Sequence, residues 1–101
     1  MKQAHLLTVA KVTPQGSDAA LLSFAPNDAQ SPHFGFLPGQ YLTLEGGPAD
    51  GSQWRCYSIT SDPTDALISV LVRRVPGGLV SNWLCDHVRA GDTLPVFPPA
   101  G

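Results

Sequence analysis

Apolar residues along this chain come in short, dense runs separated by reversals that contain Gly or Pro. In Ala4–Thr13 the apolar positions Leu7, Val9 and Val12 suggest an alternation that slips phase once before Pro14-Gln15-Gly16. Side chains alternate faces along a strand, so this run predicts a strand with one irregularity. Ala19–Phe24 is a second apolar run, ended by Pro26-Asn27-Asp28, and Gln40–Leu44 is a third, opened by Pro38-Gly39. Gln53–Ile59 and Ala66–Arg74 follow; the latter is dense in Leu67, Ile68, Val70, Leu71 and Val72, residue types that favour strands. After Pro76-Gly77-Gly78 the period changes. Val80, Trp83, Leu84 and Val88 recur at helical spacing, which predicts one helix over Leu79–Val88, stopped by Ala90-Gly91-Asp92. Thr93–Phe97 makes a last short strand before Pro98-Pro99. Six short strands and one late helix read as an all-β fold, a small closed antiparallel barrel that hides its sheet edges.

Composition supports one domain. The 101 residues include 10 Gly and 10 Pro, a punctuation that suits many short strands. A 43% hydrophobic content suffices for a core at this length, and a 14% charged content argues against a polar bundle or a disordered tail. The formal net charge is −2 and no basic stripe exists, so no nucleic-acid partner is expected. The apolar run Leu6–Ala10 is interrupted by Thr8 and is too short for a spanning helix or a signal-peptide core. No membrane association and a cytoplasmic location are expected. Cys56 and Cys85 are read as free, mostly buried thiols. Cys85-x-His87 offers only two of the four ligands of a zinc site, so no metal is expected.

Several chemistries find no basis. The chain has no G-x-S-x-G elbow, no carboxylates paired along one element, no P-loop, and no G-x-G-x-x-G that would mark a Rossmann unit. Two stretches carry more. In Arg55-Cys56-Tyr57-Ser58 alternation puts Arg55 and Tyr57 on one face, and Cys56 and Ser58 on the other. Arg55 and Tyr57 read either as a cation–π or snorkelling pair on the barrel exterior, or as a phosphate-binding guanidinium beside a platform for a planar ring. Gly77-Gly78-Leu79-Val80-Ser81 opens the helix, where outward N–H groups suit an anion; helix capping alone is the other reading. Taken together, the two stretches describe a site for a nucleotide-like cofactor with a planar head.

Arg55-x-Tyr57-Ser58 followed by Gly78-x-x-Ser81, with Pro38-Gly39-Gln40-Tyr41 before and Gly91-Asp92-Thr93-Leu94 after, resembles the flavin-binding domain of the ferredoxin-NADP reductase superfamily. The wording is most similar to reductase components of bacterial oxygenases, with flavohaemoglobin reductase domains close. The resemblance implies a six-stranded antiparallel Greek-key barrel with one capping helix, and FAD rather than FMN as cofactor. It implies that Arg55 holds the pyrophosphate, that Tyr57 lies against the isoalloxazine ring, and that Ser58 bonds near flavin N5; Tyr57 and Ser58 are the catalytic assignments. Leu71, Val72 and Arg73 would line the ribityl and pyrimidine side, largely through backbone groups. Gly78, Leu79, Val80 and Ser81 would present N–H and hydroxyl groups to the pyrophosphate, and Gly77 and Gly78 would admit it. Pro38, Gly39 and the Cys56 side chain are read as structural.

On this reading residues 1–101 are the FAD-binding barrel of an NAD(P)H-dependent oxidoreductase. Electrons would pass from nicotinamide through flavin to an iron–sulfur or haem acceptor, with a ferredoxin-type domain, an oxygenase or a haem protein as partner. The NAD(P)-binding and iron–sulfur domains that members of the superfamily carry are absent from these residues, so the barrel alone is not expected to be a complete enzyme. The alternative is a non-catalytic β-barrel interaction module without flavin, in which the same motifs only shape turns.

Overall fold

The computed structural model describes residues 3–101. Six strands form one antiparallel sheet, β1 (His5–Pro14), β2 (Ala19–Ala25), β3 (Tyr41–Gly46), β4 (Gln53–Ser58), β5 (Ile68–Arg73) and β6 (Thr93–Val96), with a single helix α1 (Leu79–His87) between β5 and β6. Their order is β4-β3-β6-β1-β2-β5, so β6 returns between β3 and β1. A bridge from Ile59 to Val70 links the β4 and β5 ends and nearly closes the barrel. This is the small antiparallel barrel with one helix that the strand pattern predicts, in the Greek-key order that the resemblance implies.

The phase slip in the first strand is a bulge. The β1–β2 register shifts between Val9 and Lys11, while Leu7 and Val9 stay fully buried. A bulge adds one residue and extra twist, which lets one long strand bend around the barrel and pair with both β2 and β6. The core is filled by inward residues of every strand except β4, including Leu7, Leu22, Phe24, Leu42, Val70 and Val96, none of which is exposed. Between β2 and β5 two buried hydroxyls, Ser23 and Ser69, satisfy each other at 2.8 Å.

Helix α1 covers one open end of the barrel with Val80 and Leu84, and Val88 just beyond it is buried too. It can lie this close to β3 because Gly46 has no side chain: a Cβ there would stand 3.0 Å from Leu84 Cδ2 and 3.3 Å from Val80 Cγ1. The helix stops one residue earlier than the periodicity suggests, since Val88 has extended backbone angles.

Two features depart from the sequence expectation. A short 3₁₀ turn, Ser31–His33, lies in the long β2–β3 connection and delivers Phe34 into the core. The cysteines are free, but less buried than expected: Cys85 is half-buried and Cys56 is exposed, because β4 is a sheet edge with its outer face open to water. Among the described residues no helix is long and apolar enough to cross a membrane, and no cluster of side chains could hold a metal ion.

Leu84→Ala should cost about 2–5 kcal/mol by cavity formation, and Gly46→Val should cost about 1–3 kcal/mol by forcing α1 off β3; urea melts followed by circular dichroism check both. Acid should also weaken the fold. Hydrogen bonds from the Thr64 backbone and side chain hold the exposed Asp62 carboxyl below its ordinary range, and the Arg74 guanidinium does the same for Asp86. Their contribution is present above the unfolded carboxylate pKa and is lost as pH falls through the lowered folded values. Asp62→Asn with Asp86→Asn should therefore flatten the loss of melting temperature between about pH 5 and pH 2.

Candidate functional site

The site starts from the register of β4 on β3. Leu44 faces Arg55 and Leu42 faces Tyr57. Directly opposed residues on antiparallel strands project to the same side, so Arg55 and Tyr57 share the face of two fully buried leucines. They do not form a pair on the barrel exterior. The exterior face of β4 belongs to the other parity: Cys56 Sγ meets Thr43 Oγ1 at 3.3 Å, and the Trp54 ring packs against Phe97 at 4.7 Å. Arg55 and Tyr57 therefore fill the gap where β4 and β5 separate.

Tyr57 is half-buried, and that burial pushes its phenol pKa up against the opposing influence of Arg55. The hydroxyl stays protonated throughout the neutral range. Arg55 is exposed, with its guanidinium held by the Trp54 carbonyl at 2.8 Å and by Gln53 Oε1. These acceptors are neutral. The ion pair among the described residues is Arg74–Asp86, so the Arg55 charge meets no carboxylate.

Opposite β4 stands the turn that opens α1. Val75-Pro76-Gly77-Gly78 closes with the Gly78 N–H donating to the Val75 carbonyl at 2.7 Å, and Gly77 has φ +72°. Pro at the second position and a positive-φ glycine at the third define a type II turn. Gly78 is fixed by space: a Cβ there would lie 2.7 Å from Ser81 Oγ and 2.9 Å from the Val75 carbonyl oxygen. It is the N-cap residue, and no side chain caps the helix. The N–H groups of Leu79, Val80 and Ser81 therefore open the helix without intrahelical acceptors. Ser81 Oγ accepts from the Val75 N–H at 3.1 Å, which leaves the hydroxyl proton for another acceptor.

The third wall is the edge of β5. Arg74 N–H donates to the Asp18 carbonyl at 2.7 Å, and Thr60 N–H to the Ser69 carbonyl at 2.9 Å. Antiparallel alternation then turns the backbone groups of Ser69, Leu71 and Arg73 away from β2; those of Ser69 are taken by Thr60 and Ser61, and Arg73 borders the open part of the gap.

Between these walls lies a cleft of about 340 Å³. It is lined by Arg55, Cys56 and Tyr57 from β4, by Arg73 and Val75 around the end of β5, and by Gly78, Leu79, Val80 and Ser81. No Asp or Glu lines it. Two arginines, an uncapped helix start and a serine proton make it an anion site inside a chain of net charge −2. The half-buried phenol ring adds a flat apolar wall. That donor set fits a ligand carrying phosphates and a planar ring.

The structure thus brings seven of the sequence-predicted residues to one cleft: Arg55, Tyr57, Arg73, Gly78, Leu79, Val80 and Ser81. It places the others elsewhere. Ser58 lies opposite Tyr41 on the other face of β4, Leu71 is half-buried beside Leu21, and Val72 is fully buried in the core. Leu71 does not line the cleft; by strand parity its backbone groups point away from β2. Gly78 serves the packing of its own turn before it serves any ligand. Val75 is a lining residue that the sequence motifs do not single out; its signal is an apolar residue directly ahead of Pro-Gly-Gly, where strand β5 has already ended.

Comparison with known proteins gives the family. The chain is 46% identical over 99 residues to the ferredoxin reductase component of a 3-ketosteroid-9-alpha-monooxygenase from Rhodococcus rhodochrous, covering 95% of this chain and 28% of that protein. It is 39% identical over 98 residues to the reductase subunit of a glycine betaine monooxygenase from Pseudomonas aeruginosa, covering 96% of this chain and 26% of the relative. The chain therefore spans under a third of the length of these curated relatives. In structure it matches the flavohem-like FAD/NAD-binding domain of nitric oxide dioxygenase from Vibrio cholerae with a TM-score of 0.82 at 24% identity, over 98% of this chain and 44% of the other, a likeness of fold. The model of the oxidoreductase FAD-binding domain matches residues 6–101, and on that match, with the relatives and the cleft, the chain belongs to the oxidoreductase FAD-binding domain family.

Proposed function

We propose that this chain is the FAD-binding part of an NAD(P)H-dependent reductase that serves an oxygenase, and that its FAD lies in the cleft between β4, β5 and α1. The carrying observation is the convergence on one carboxylate-free cleft of Arg55, Arg73, the uncapped start of α1 and the Tyr57 ring. The relatives named as reductase components support the oxygenase context. In this reading NAD(P)H and the electron acceptor, a ferredoxin-type centre, an oxygenase or a haem protein, engage parts of the protein outside these 101 residues. The setting is the cytoplasm.

When bound, FAD supplies the ability to take up an electron pair and release electrons singly. The residues of this chain bind and orient it. Arg55 offers a planar fork of N–H donors to the diphosphate, and its present acceptors, a carbonyl and an amide, are neutral groups that an anion outcompetes. Leu79, Val80 and Ser81 offer backbone N–H groups, and Ser81 its hydroxyl proton, to the same charge. Tyr57 gives the planar ring system a wall that stays neutral at physiological pH, because burial raises its pKa. The backbone of Leu71 and Arg73 presents donors and acceptors to the ring's polar edge. In this reading Ser58, the last residue of β4 and on the face opposite Tyr57, would approach flavin N5 only where the strand ends; a serine hydroxyl there can donate or accept, which tunes the polarity around that atom.

Arg55→Ala should weaken FAD binding about 10- to 100-fold, the scale of a lost charge-assisted hydrogen bond pair, while far-UV circular dichroism stays unchanged. Arg55→Lys should restore only part of the affinity, since an ammonium cannot make the planar bidentate contact. Flavin titration of the three proteins, with fluorescence quenching as readout, is the check; equal flavin content in Arg55→Ala and the parent would remove the cleft as the binding site. A second expectation concerns salt. Affinity for FAD should fall between about 0.05 M and 0.5 M NaCl, because the contacts are ionic and partly exposed; an affinity that stays flat over that range would count against a cationic cradle.

A further inference from the structure

The turn that opens α1 offers N–H groups to an anion, yet it carries two carbonyl oxygens as well, those of Val75 and Gly78, and both residues line the cleft. A carbonyl oxygen near an anion repels it unless a donor covers it. Asn82, which is not among the lining residues, reaches both. It is half-buried on α1, and its Nδ2 donates to the Gly78 carbonyl at 2.7 Å and to the Val75 carbonyl at 2.9 Å. The backbone bond from the Asn82 N–H to the same Gly78 carbonyl is longer, at 3.3 Å, so the side chain makes the shorter contact to the N-cap residue. An amide that donates here satisfies acceptors and leaves the N–H groups of Leu79, Val80 and Ser81 open.

The amide is itself held in one orientation. Its Oδ1 accepts from Arg74 Nη1 at 3.4 Å, while Arg74 Nη2 donates to Asp86 Oδ1 at 2.5 Å. A guanidinium only donates, so it engages the oxygen of the amide and leaves the NH₂ group to the two carbonyls. Asn82 and Asp86 lie four residues apart on α1 and so share a face. Arg74 follows β5 directly, and its own N–H is fixed on the Asp18 carbonyl at 2.7 Å. The order from outside inward is carboxylate, guanidinium, amide, turn carbonyls. Asp86, Arg74 and Asn82 all stand outside the lining of the cleft.

We propose that Asn82 is a positioning residue of the anion site: oriented by the Arg74–Asp86 pair, it holds the turn from Val75 to Gly78 in the shape that receives a phosphate and covers the two carbonyl oxygens of that turn. The inference rests on the reading of the cleft as a flavin site, and adds to it residues that shape the site without touching the ligand.

Asp86 separates this role from simple electrostatics. A carboxylate near an anion site repels the anion, and removing it would also free the Arg74 charge. Charge alone therefore predicts tighter flavin binding without Asp86; positioning predicts weaker binding.

The test is FAD titration of the parent, Asn82→Ala, Asn82→Ser and Asp86→Ala, with thermal melts and amide hydrogen exchange on the flavin-free proteins. Alanine is the better helix former at both positions. Asn82→Ala should lose about tenfold in FAD affinity, the scale of one to two hydrogen bonds. Asn82→Ser can return one bond to the carbonyl four residues back and should recover part of that loss. Asp86→Ala should bind FAD about two- to threefold more weakly, the scale of an exposed ion pair; at an exposed position, it carries the test if Asn82→Ala does not fold. In Asn82→Ala the Gly78 N–H should exchange faster while the core strands keep their protection. Unchanged FAD affinity in Asn82→Ala, or tighter FAD binding in Asp86→Ala, would overturn the proposal and leave the flavin site standing. So would exchange that rises in the core strands as much as at Gly78, which would make Asn82 a general support of the fold. A parent that binds no FAD overturns the flavin reading and the proposal together.

Discussion

Everything at the cleft hangs on the way Val75 is held at both of its backbone groups. Its carbonyl closes the type II turn and its N–H is taken by Ser81 Oγ, so the end of β5 and the start of α1 are tied into one unit. Gly78 makes the tie possible, since any side chain there would collide with both of those partners. The tie also demands glycine at the N-cap, so α1 begins without a side-chain cap. Ser81, three residues into the helix, turns its oxygen back to Val75. The helix start therefore keeps its N–H groups for something outside the protein.

The second constraint is the pairing of β4. As an edge strand its residues are mostly exposed, yet its register sets Arg55 and Tyr57 on the same side as buried Leu44 and Leu42. Position on an edge keeps Arg55 in water, where a charge is cheap to hold. The inward face aims it at the helix start. Like charges then gather: Arg55 and Arg73 line the cleft and the positive end of α1 joins them, with no carboxylate to offset them. Such an arrangement gains most when an anion enters. Contrast Arg74, next in sequence to Arg73, which is engaged by Asp86 and serves the attachment of α1 to β5.

Much of this was legible in the sequence because the signals were local. Period-two runs and Gly-Pro reversals marked each strand to within a few residues, and even the phase slip at Val9–Lys11 showed as broken alternation. The change to helical spacing after Pro76-Gly77-Gly78 located α1. Alternation within Arg55-Cys56-Tyr57-Ser58 gave the right pairing of faces. It could not say which face was inward, because that depends on the β3 register, a contact with residues eleven to fifteen positions earlier. The same limit hid the packing role of Gly78, the exposure of Cys56 on the open edge and the 3₁₀ turn that carries Phe34. Val75 was hard to single out for a simpler reason: its one signal is an apolar residue ahead of Pro-Gly-Gly, and only the fold shows it standing in water.

The central claim is that FAD occupies the cleft with its phosphates at the start of α1. The most direct measurement is an amide ¹H–¹⁵N NMR titration with FAD. The largest changes are predicted at the N–H groups of Leu79, Val80 and Ser81 and at Arg55 and Tyr57, with the far face around Trp54 and Phe97 little moved. Perturbations centred on that outer face, with the first turn of α1 silent, would contradict the account.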